Sequence, residues 1–181
     1  MNKDGVLNIL VAQFAFQLTT PILQIIAQTA AEKGVPCSGS RFSGGTQGIN
    51  PSSQFLRLGQ KVKGSPLPPE IPVGEANILL GMEAGHAARL AAEQMSSHGT
   101  AIINTWQYHP PYVPPPHKGY PSVEKILELL GGLLDTVIPV DATGLAKEAG
   151  DPKLAQGVLE VVMLGALMGT GLLPFSADDT E

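Results

Sequence analysis

LNILVAQFAFQLTTP, residues 7–21, decides how the rest of the chain is read. Leu7, Ile9 and Val11 fall on one side of an extended segment and Leu10 and Ala12 on the other, so both faces are apolar, as in the middle of an α/β sheet. Thr20 followed by Pro21 is an N-cap and a favoured first helical residue, and Ile22, Ile25, Ile26 and Thr29 recur at helical spacing. The pattern predicts a strand, a crossing, and a helix from about Pro21 to near Gly34. In nucleotide-binding α/β proteins such a crossing carries glycines, because phosphates approach the backbone and some residues need φ > 0. Here Gln13, Phe14, Ala15, Phe16 and Gln17 occupy it. A left-handed backbone costs a non-glycine residue roughly 1–2 kcal/mol, so a phosphate cradle is not expected. Phe14 and Phe16 either pack at the sheet edge or face an apolar ligand or another subunit.

Outward from this unit, strands are expected over residues 35–42, 54–58, 76–82, 99–105 and 136–141. Helices are expected over 83–95, from Pro121-Ser122 onward with a loosening at Gly131-Gly132, over 143–149, and over about 152–168. Strands alternating with helices imply the α/β class: a three-layer α/β/α arrangement around a largely parallel, mixed, Rossmann-like sheet. A single domain over residues 1–181 is expected, with a proline-rich arm at about 106–121, WQYHPPYVPPPHKGYP. Its PxxP pattern and flanking aromatics suit either a docking peptide or a rigid arm clasping a partner chain, and the arm is preferred.

The net charge of −5 and the scattering of Arg41, Arg57, Lys61 and Lys63 argue against nucleic acid as a partner. Cys37 alone makes no internal disulfide and assembles no zinc or iron–sulfur site, which suggests a reducing, cytoplasmic setting, and its thiol reads as a small core residue. The N-terminal residues do not read as a secretory signal. The longest uncharged apolar stretch, residues 161–176, contains three glycines and a proline, and falls short of the roughly 20 residues a membrane helix needs. His86 on a helix, His98 at the following turn, and His109 and His117 flanking the prolines show no metal-ligand spacing and read as satisfied or solvated. Glu124/Glu128 and Asp178-Asp179 read as solvated carboxylates.

The order of segments carries more than any one motif. NILVAQ, then RLGQKVKGSPLPPEIPVGEANILLGMEAGHAARL, then GTAIINT, then IPVDATGLAKEAGDPKLAQGVLEVVMLGALMGTGLLPF resembles the gamma-type domain of 2-oxoacid:acceptor oxidoreductases over residues 8–175, nearest to the small subunit of indolepyruvate:ferredoxin oxidoreductases. The resemblance implies a chain without a cofactor of its own. Thiamine diphosphate, magnesium and iron–sulfur clusters are expected on partner catalytic subunits, a ferredoxin-like acceptor takes the electrons, and coenzyme A can sit at the interface. It also implies that this chain supplies scaffold and one wall of an active site for an aryl-pyruvate-like 2-oxo acid.

Relatives usually carry G-x-G-G-Q-G after the first strand, where only Gln17 matches here. They also carry a second loop ending in a glutamine or alanine followed by Arg-Gly-Gly, where Gly44 and Gln47 match and Gly48, Ile49 and Asn50 depart. Phe14, Phe16, Gln17, Gly44, Gln47 and Asn50 are therefore the candidates for the substrate- or coenzyme-facing wall, and Arg57, Glu83, Asn104 and Asp141 for the support of loops. A family asparagine ahead of the last apolar helix appears as Glu160. The alternative is a diverged, non-enzymatic assembly module on the same fold.

Overall fold

Strand β1 (Leu7–Phe14) is buried at every residue, and its alternation sorts the core into two halves. Leu7, Ile9 and Val11 join one apolar cluster with Ile22, Leu23 and Ile26, while Leu10 and Ala12 join another with Ala87, Leu90 and Ile126. These positions come from a computed structural model that describes residues 5–14, 22–43, 51–59, 67–107, 121–149 and 155–180. Each fully buried leucine or isoleucine contributes roughly 1.5–3 kcal/mol, so a strand that feeds two clusters is the natural centre of the fold.

The remaining strands are β2 (Cys37–Ser43), β3 (Pro51–Leu58), β4 (Ala76–Gly81), β5 (Met95–Asn104) and β6 (Thr136–Val140), and the sheet order is β2-β3-β1-β4-β5-β6. Strands β1, β4, β5 and β6 pair in parallel, and β3 runs antiparallel between β1 and β2. Five strands thus share a direction and one opposes them. Helices α1 (Ile22–Glu32), α4 (Ala142–Glu148) and α5 (Ala155–Gly169) cover the Val11 face, and α2 (Ala84–Gln94) and α3 (Val123–Leu133) cover the Leu10 face. The three-layer, mixed but largely parallel architecture is the one expected from the sequence.

Close contact between β4 and α2 depends on a missing side chain. A Cβ at Gly81 would stand 2.6 Å from the Ala87 Cβ and 2.8 Å from the Ile103 Cδ1. Gly34, at φ 71°, ends α1 in the left-handed conformation, and the Val35 N–H donates to the Ala30 carbonyl at 2.7 Å.

Several expectations are corrected. Helix α3 does not loosen at Gly131-Gly132: the Leu134 N–H still reaches the Leu130 carbonyl at 2.9 Å, and buried Leu130 and Leu134 pin the last turn while the glycines face solvent. Packing on one face outweighs the helix-breaking tendency on the other. Phe14, the last residue of β1, packs at the strand-end edge of the sheet and not on an outer strand, with its ring 6.1 Å from that of His86. His98 lies within β5, which begins at Met95, and its Nδ1 is 2.8 Å from the Asp135 carboxylate. Cys37 is exposed, not a core residue, because it sits on the edge strand β2. Asp179 is not simply solvated: in the 3₁₀ turn Ala177–Thr180 it pairs with Lys33 at the end of α1. Strand β3 starts at Pro51, ahead of the expected Gln54.

Candidate functional site

The carboxyl ends of β1, β2, β4, β5 and β6 and the amino end of antiparallel β3 share one edge of the sheet, which brings Phe14, Gly81, Asn104 and Val140 to that edge. Strand order builds away from β1 in both directions, so the β1/β4 crevice is a topological switch point, where open α/β sheets bind their ligands.

Side chains rather than glycines shape this edge. After β4, Glu83 is completely buried and caps α2: its carboxylate accepts from the Gly85 N–H at 3.0 Å and the His86 N–H at 2.7 Å, where the helix dipole favours negative charge. At the end of β5, Asn104 Nδ2 donates to the Met82 carbonyl at 3.1 Å and to Thr143 Oγ1 at 2.9 Å, and its Oδ1 accepts from the Thr143 N–H at 3.3 Å. One buried carboxamide thereby locks the turn after β4 to the start of α4. Asp141 caps α4 through the Gly144 N–H at 2.8 Å.

His86 stands between Phe14 and β3. Its Nε2 lies 3.2 Å from the Ser52 carbonyl oxygen, which can only accept, so that nitrogen carries the proton. Nδ1 is then free to accept from the Arg89 guanidinium at 3.2 Å. Burial holds the imidazole down to a pKa of about 4, the Ser52 carbonyl partly opposing and the Arg89 charge reinforcing the shift. A neutral imidazole of this kind is a structural strut and a poor acid–base catalyst at neutral pH.

Gln13 is 1% exposed on the α1 side of β1, and its Nε2 has no hydrogen-bond partner among the described residues. A buried amide left this way costs about 1–3 kcal/mol, which marks the end of β1 as a place where a partner group would be welcome.

Arg57 belongs to another end of the molecule. Its Nε donates to Asn8 Oδ1 at 2.9 Å and its Nη1 to the Pro68 and Glu70 carbonyls at 3.1 and 3.2 Å, tying the segment before β4 to the amino end of β1. The structure thus brings Phe14, Glu83, Asn104 and Asp141 to one edge and leaves Arg57 apart. Phe16, Gln17, Gly44, Gln47 and Asn50 lie outside the described residues, as does most of the proline-rich arm, although Gln107 Nε2 donates to the Pro121 carbonyl at 2.6 Å across its two ends. Thr143 and Ser52 did not stand out in the sequence. Asn8, a polar residue among the apolar residues that open β1, is the signal that could have pointed to the Arg57 anchor.

Among the described residues no group of three or more His, Cys, Asp or Glu side chains is placed to hold a metal ion, and no helix is long and apolar enough to cross a membrane.

The family model for pyruvate ferredoxin/flavodoxin oxidoreductase matches residues 19–181, beginning just past the aromatic crossing. The chain is 29% identical over 175 residues to indolepyruvate oxidoreductase subunit IorB of Archaeoglobus fulgidus, covering 97% of this chain and 82% of that protein. In fold it is similar to pyruvate oxidoreductase subunit PORC from Thermotoga maritima, with a TM-score of 0.62 at 20% identity, covering 94% of this chain and 79% of that one. It is also similar to 2-oxoglutarate:ferredoxin oxidoreductase from Magnetococcus marinus, solved with 2-oxoglutarate, coenzyme A and succinyl-CoA bound. There the TM-score is 0.65 at 13% identity, covering 98% of this chain and 26% of that one.

Proposed function

The chain belongs to the pyruvate ferredoxin/flavodoxin oxidoreductase family, and we propose that, as a subunit of a 2-oxoacid:ferredoxin oxidoreductase complex, it forms scaffold and one wall of the active site. Thiamine diphosphate with its magnesium and the iron–sulfur clusters belong, on this reading, to partner catalytic subunits. The substrate is an aryl-pyruvate-like 2-oxo acid, in keeping with the indolepyruvate oxidoreductase subunit it resembles. The setting is cytoplasmic.

One observation carries the division of labour. Among the described residues, the carboxyl-end edge of the sheet is held by Glu83, Asn104 and Asp141, whose side chains already engage the Gly85, His86, Thr143 and Gly144 N–H groups and so leave those amides closed to a phosphate. Such an edge suits a wall that excludes water from a neighbouring subunit's chemistry.

Coenzyme A fits this edge in one respect, the Gln13 amide: a buried Nε2 without a partner among the described residues is suited to an amide or carbonyl oxygen of a pantetheine-like arm. When bound, coenzyme A would supply the thiol that accepts the acyl group. This chain's own residues orient and enclose.

Phe14, Phe16, Gln17, Gly44, Gln47 and Asn50 are proposed for the wall. Viologen reduction with indolepyruvate, pyruvate and 2-oxoglutarate tests the reading. The chain alone should be inactive, and addition of the thiamine diphosphate subunit should restore turnover, highest with the aryl substrate. Turnover by the isolated chain, or calorimetric binding of thiamine diphosphate or NAD to it, would overturn the proposal.

A further inference from the structure

Gln13 closes the alternation that Leu7, Ile9 and Val11 begin on the α1 face of β1. Its cross-strand partner on β3 is Ser52, and Met82, just after β4, donates its N–H to the Ala12 carbonyl at 2.8 Å. Ser52 and Met82 are as deeply buried as Gln13. On the same face the strands below are lined by Val11, Leu80 and Ile102. The carboxamide thus stands at the end of an apolar row with buried neighbours on both sides.

Two other buried polar side chains of this edge are satisfied from within the chain. Glu83 holds the Gly85 and His86 N–H groups, and Asn104 holds Met82 and Thr143. The Gln13 Nε2 has no acceptor among the described residues. Methionine or leucine would continue the apolar row without an unsatisfied donor, so the amide lowers the stability of the chain on its own. Its chemistry is that of a donor reserved for an oxygen supplied from outside the chain.

Charge decides what kind of oxygen that is. None of the three arginines stands beside Gln13: Arg57 is bonded at the amino end of β1, Arg89 lies on α2 over the other face, and Arg41 is exposed on the outer strand β2. A carboxylate or phosphate brought to Gln13 would lose its water without gaining a cation. The Gly85, His86, Thr143 and Gly144 N–H groups, which could replace a cation, are already taken. A neutral carbonyl oxygen needs only the one N–H. Coenzyme A divides along the same line, with amide oxygens on its slender, uncharged pantetheine arm and the phosphates at its nucleotide end. Resting on the reading of this edge as the coenzyme-facing wall, we infer that Gln13 is a specificity-determining residue that reads an amide oxygen of the pantetheine arm, and that this chain leaves the phosphate end to other subunits.

The test uses the full chain assembled with the thiamine diphosphate subunit from the same organism, and reads binding of coenzyme A, dephospho-coenzyme A and pantetheine by calorimetry. Gln13→Met, close in size and without the amide, should weaken all three by the same factor, about tenfold. The same substitution should raise the melting temperature of the isolated chain by roughly 2–4 °C, because it removes an unsatisfied donor, and should leave subunit association unchanged. An amide with a purely structural role would give the reverse, a lower melting temperature. Gln13→Leu repeats the measurements if the methionine variant folds poorly. A loss larger for coenzyme A than for pantetheine would put Gln13 at the phosphate end and overturn the inference, and so would variants that bind all three as the wild type does. Both results leave the subunit assignment standing. Weaker subunit association in the variants would make the acceptor a carbonyl of the partner chain and overturn the inference in the same way. A wild-type complex that reduces viologen with a 2-oxo acid yet binds none of the three overturns the inference together with the coenzyme role of this edge. Failure of the wild-type chain to associate with the subunit at all overturns the subunit reading itself.

Discussion

Asn104 and Thr143, 39 residues apart, meet at the carboxyl-end edge of the sheet, with the Asn104 Nδ2 at 2.9 Å from Thr143 Oγ1 and its Oδ1 at 3.3 Å from the Thr143 N–H. Asn104 is completely buried and also holds the Met82 carbonyl. It therefore couples the turns after β4, β5 and β6. Asn104→Leu strands that carbonyl and the Thr143 N–H, and unsatisfied buried groups cost about 1–3 kcal/mol. Urea unfolding should show a loss of that size, and a double-mutant cycle with Thr143→Val should show non-additivity of at least about 0.5 kcal/mol, the lower end for residues that share a bond. Additive losses would mean that the two side chains do not act as a unit.

Helix α3 offers a change in the opposite direction. Gly131 and Gly132 are solvent-facing, helical, and have nothing within 4 Å of an added Cβ. An interior helical glycine costs about 0.5–1 kcal/mol relative to alanine, so Gly131→Ala and Gly132→Ala together should stabilise the chain by about 1–2 kcal/mol. Thermal unfolding checks this. A neutral or destabilising result would indicate that something covers this turn.

The fold was legible because β1 states its burial on both faces in eight residues, and because the helical periods after Pro21 and Ser122 are long and clean. Pairing across the sheet was less so. That β3 slots antiparallel between β1 and β2 is a tertiary fact, settled by which apolar rows meet. The sequence signals at Gly131-Gly132 and Cys37 misled for related reasons: local propensity says nothing about which side of an element will be covered. At the site, Glu83, Asn104 and Asp141 were marked as loop supports by the family resemblance, but Thr143 and Ser52 act through partners far along the chain and leave no local trace.

The tail is tethered by charge. Lys33 pairs with Asp179, whose carboxyl is held down to about 2, first by that lysine and then by the Ser176 N–H and hydroxyl. A carboxylate with a depressed folded pKa gives its contribution in full above the unfolded value of 3.8 and loses it as pH falls toward 2. The pair is exposed, so salt screens it. Lys33→Ala or 1 M salt should accelerate amide exchange at Asp179 severalfold with little change in global melting. Unchanged exchange in Lys33→Ala would remove the pair as the tether.

His86 sets a different pH dependence. It is 5% exposed, donates to the Ser52 carbonyl, and is kept neutral down to about pH 4, against a usual imidazole value of 6.5. Unfolded chain binds a proton at His86 below pH 6.5 and folded chain does not, so stability falls as pH drops from 6.5 towards 4 and levels off below that. For this one group the loss between pH 7 and pH 5 is roughly 2 kcal/mol, since each pH step of one below the unfolded value costs about 1.4 kcal/mol while the folded imidazole stays neutral. His86→Gln removes the titration and can still offer an N–H to Ser52. Chemical denaturation at the two pH values should therefore show a smaller drop for the variant than for the wild type, by about that amount. The Arg89→Ala chain, which loses the cation facing Nδ1, should lie between them, with the imidazole easier to protonate. Equal drops in wild type and His86→Gln would show that the folded imidazole takes up its proton over the same pH range as in the unfolded chain, and the strut between Phe14 and β3 would have to be assigned to another group.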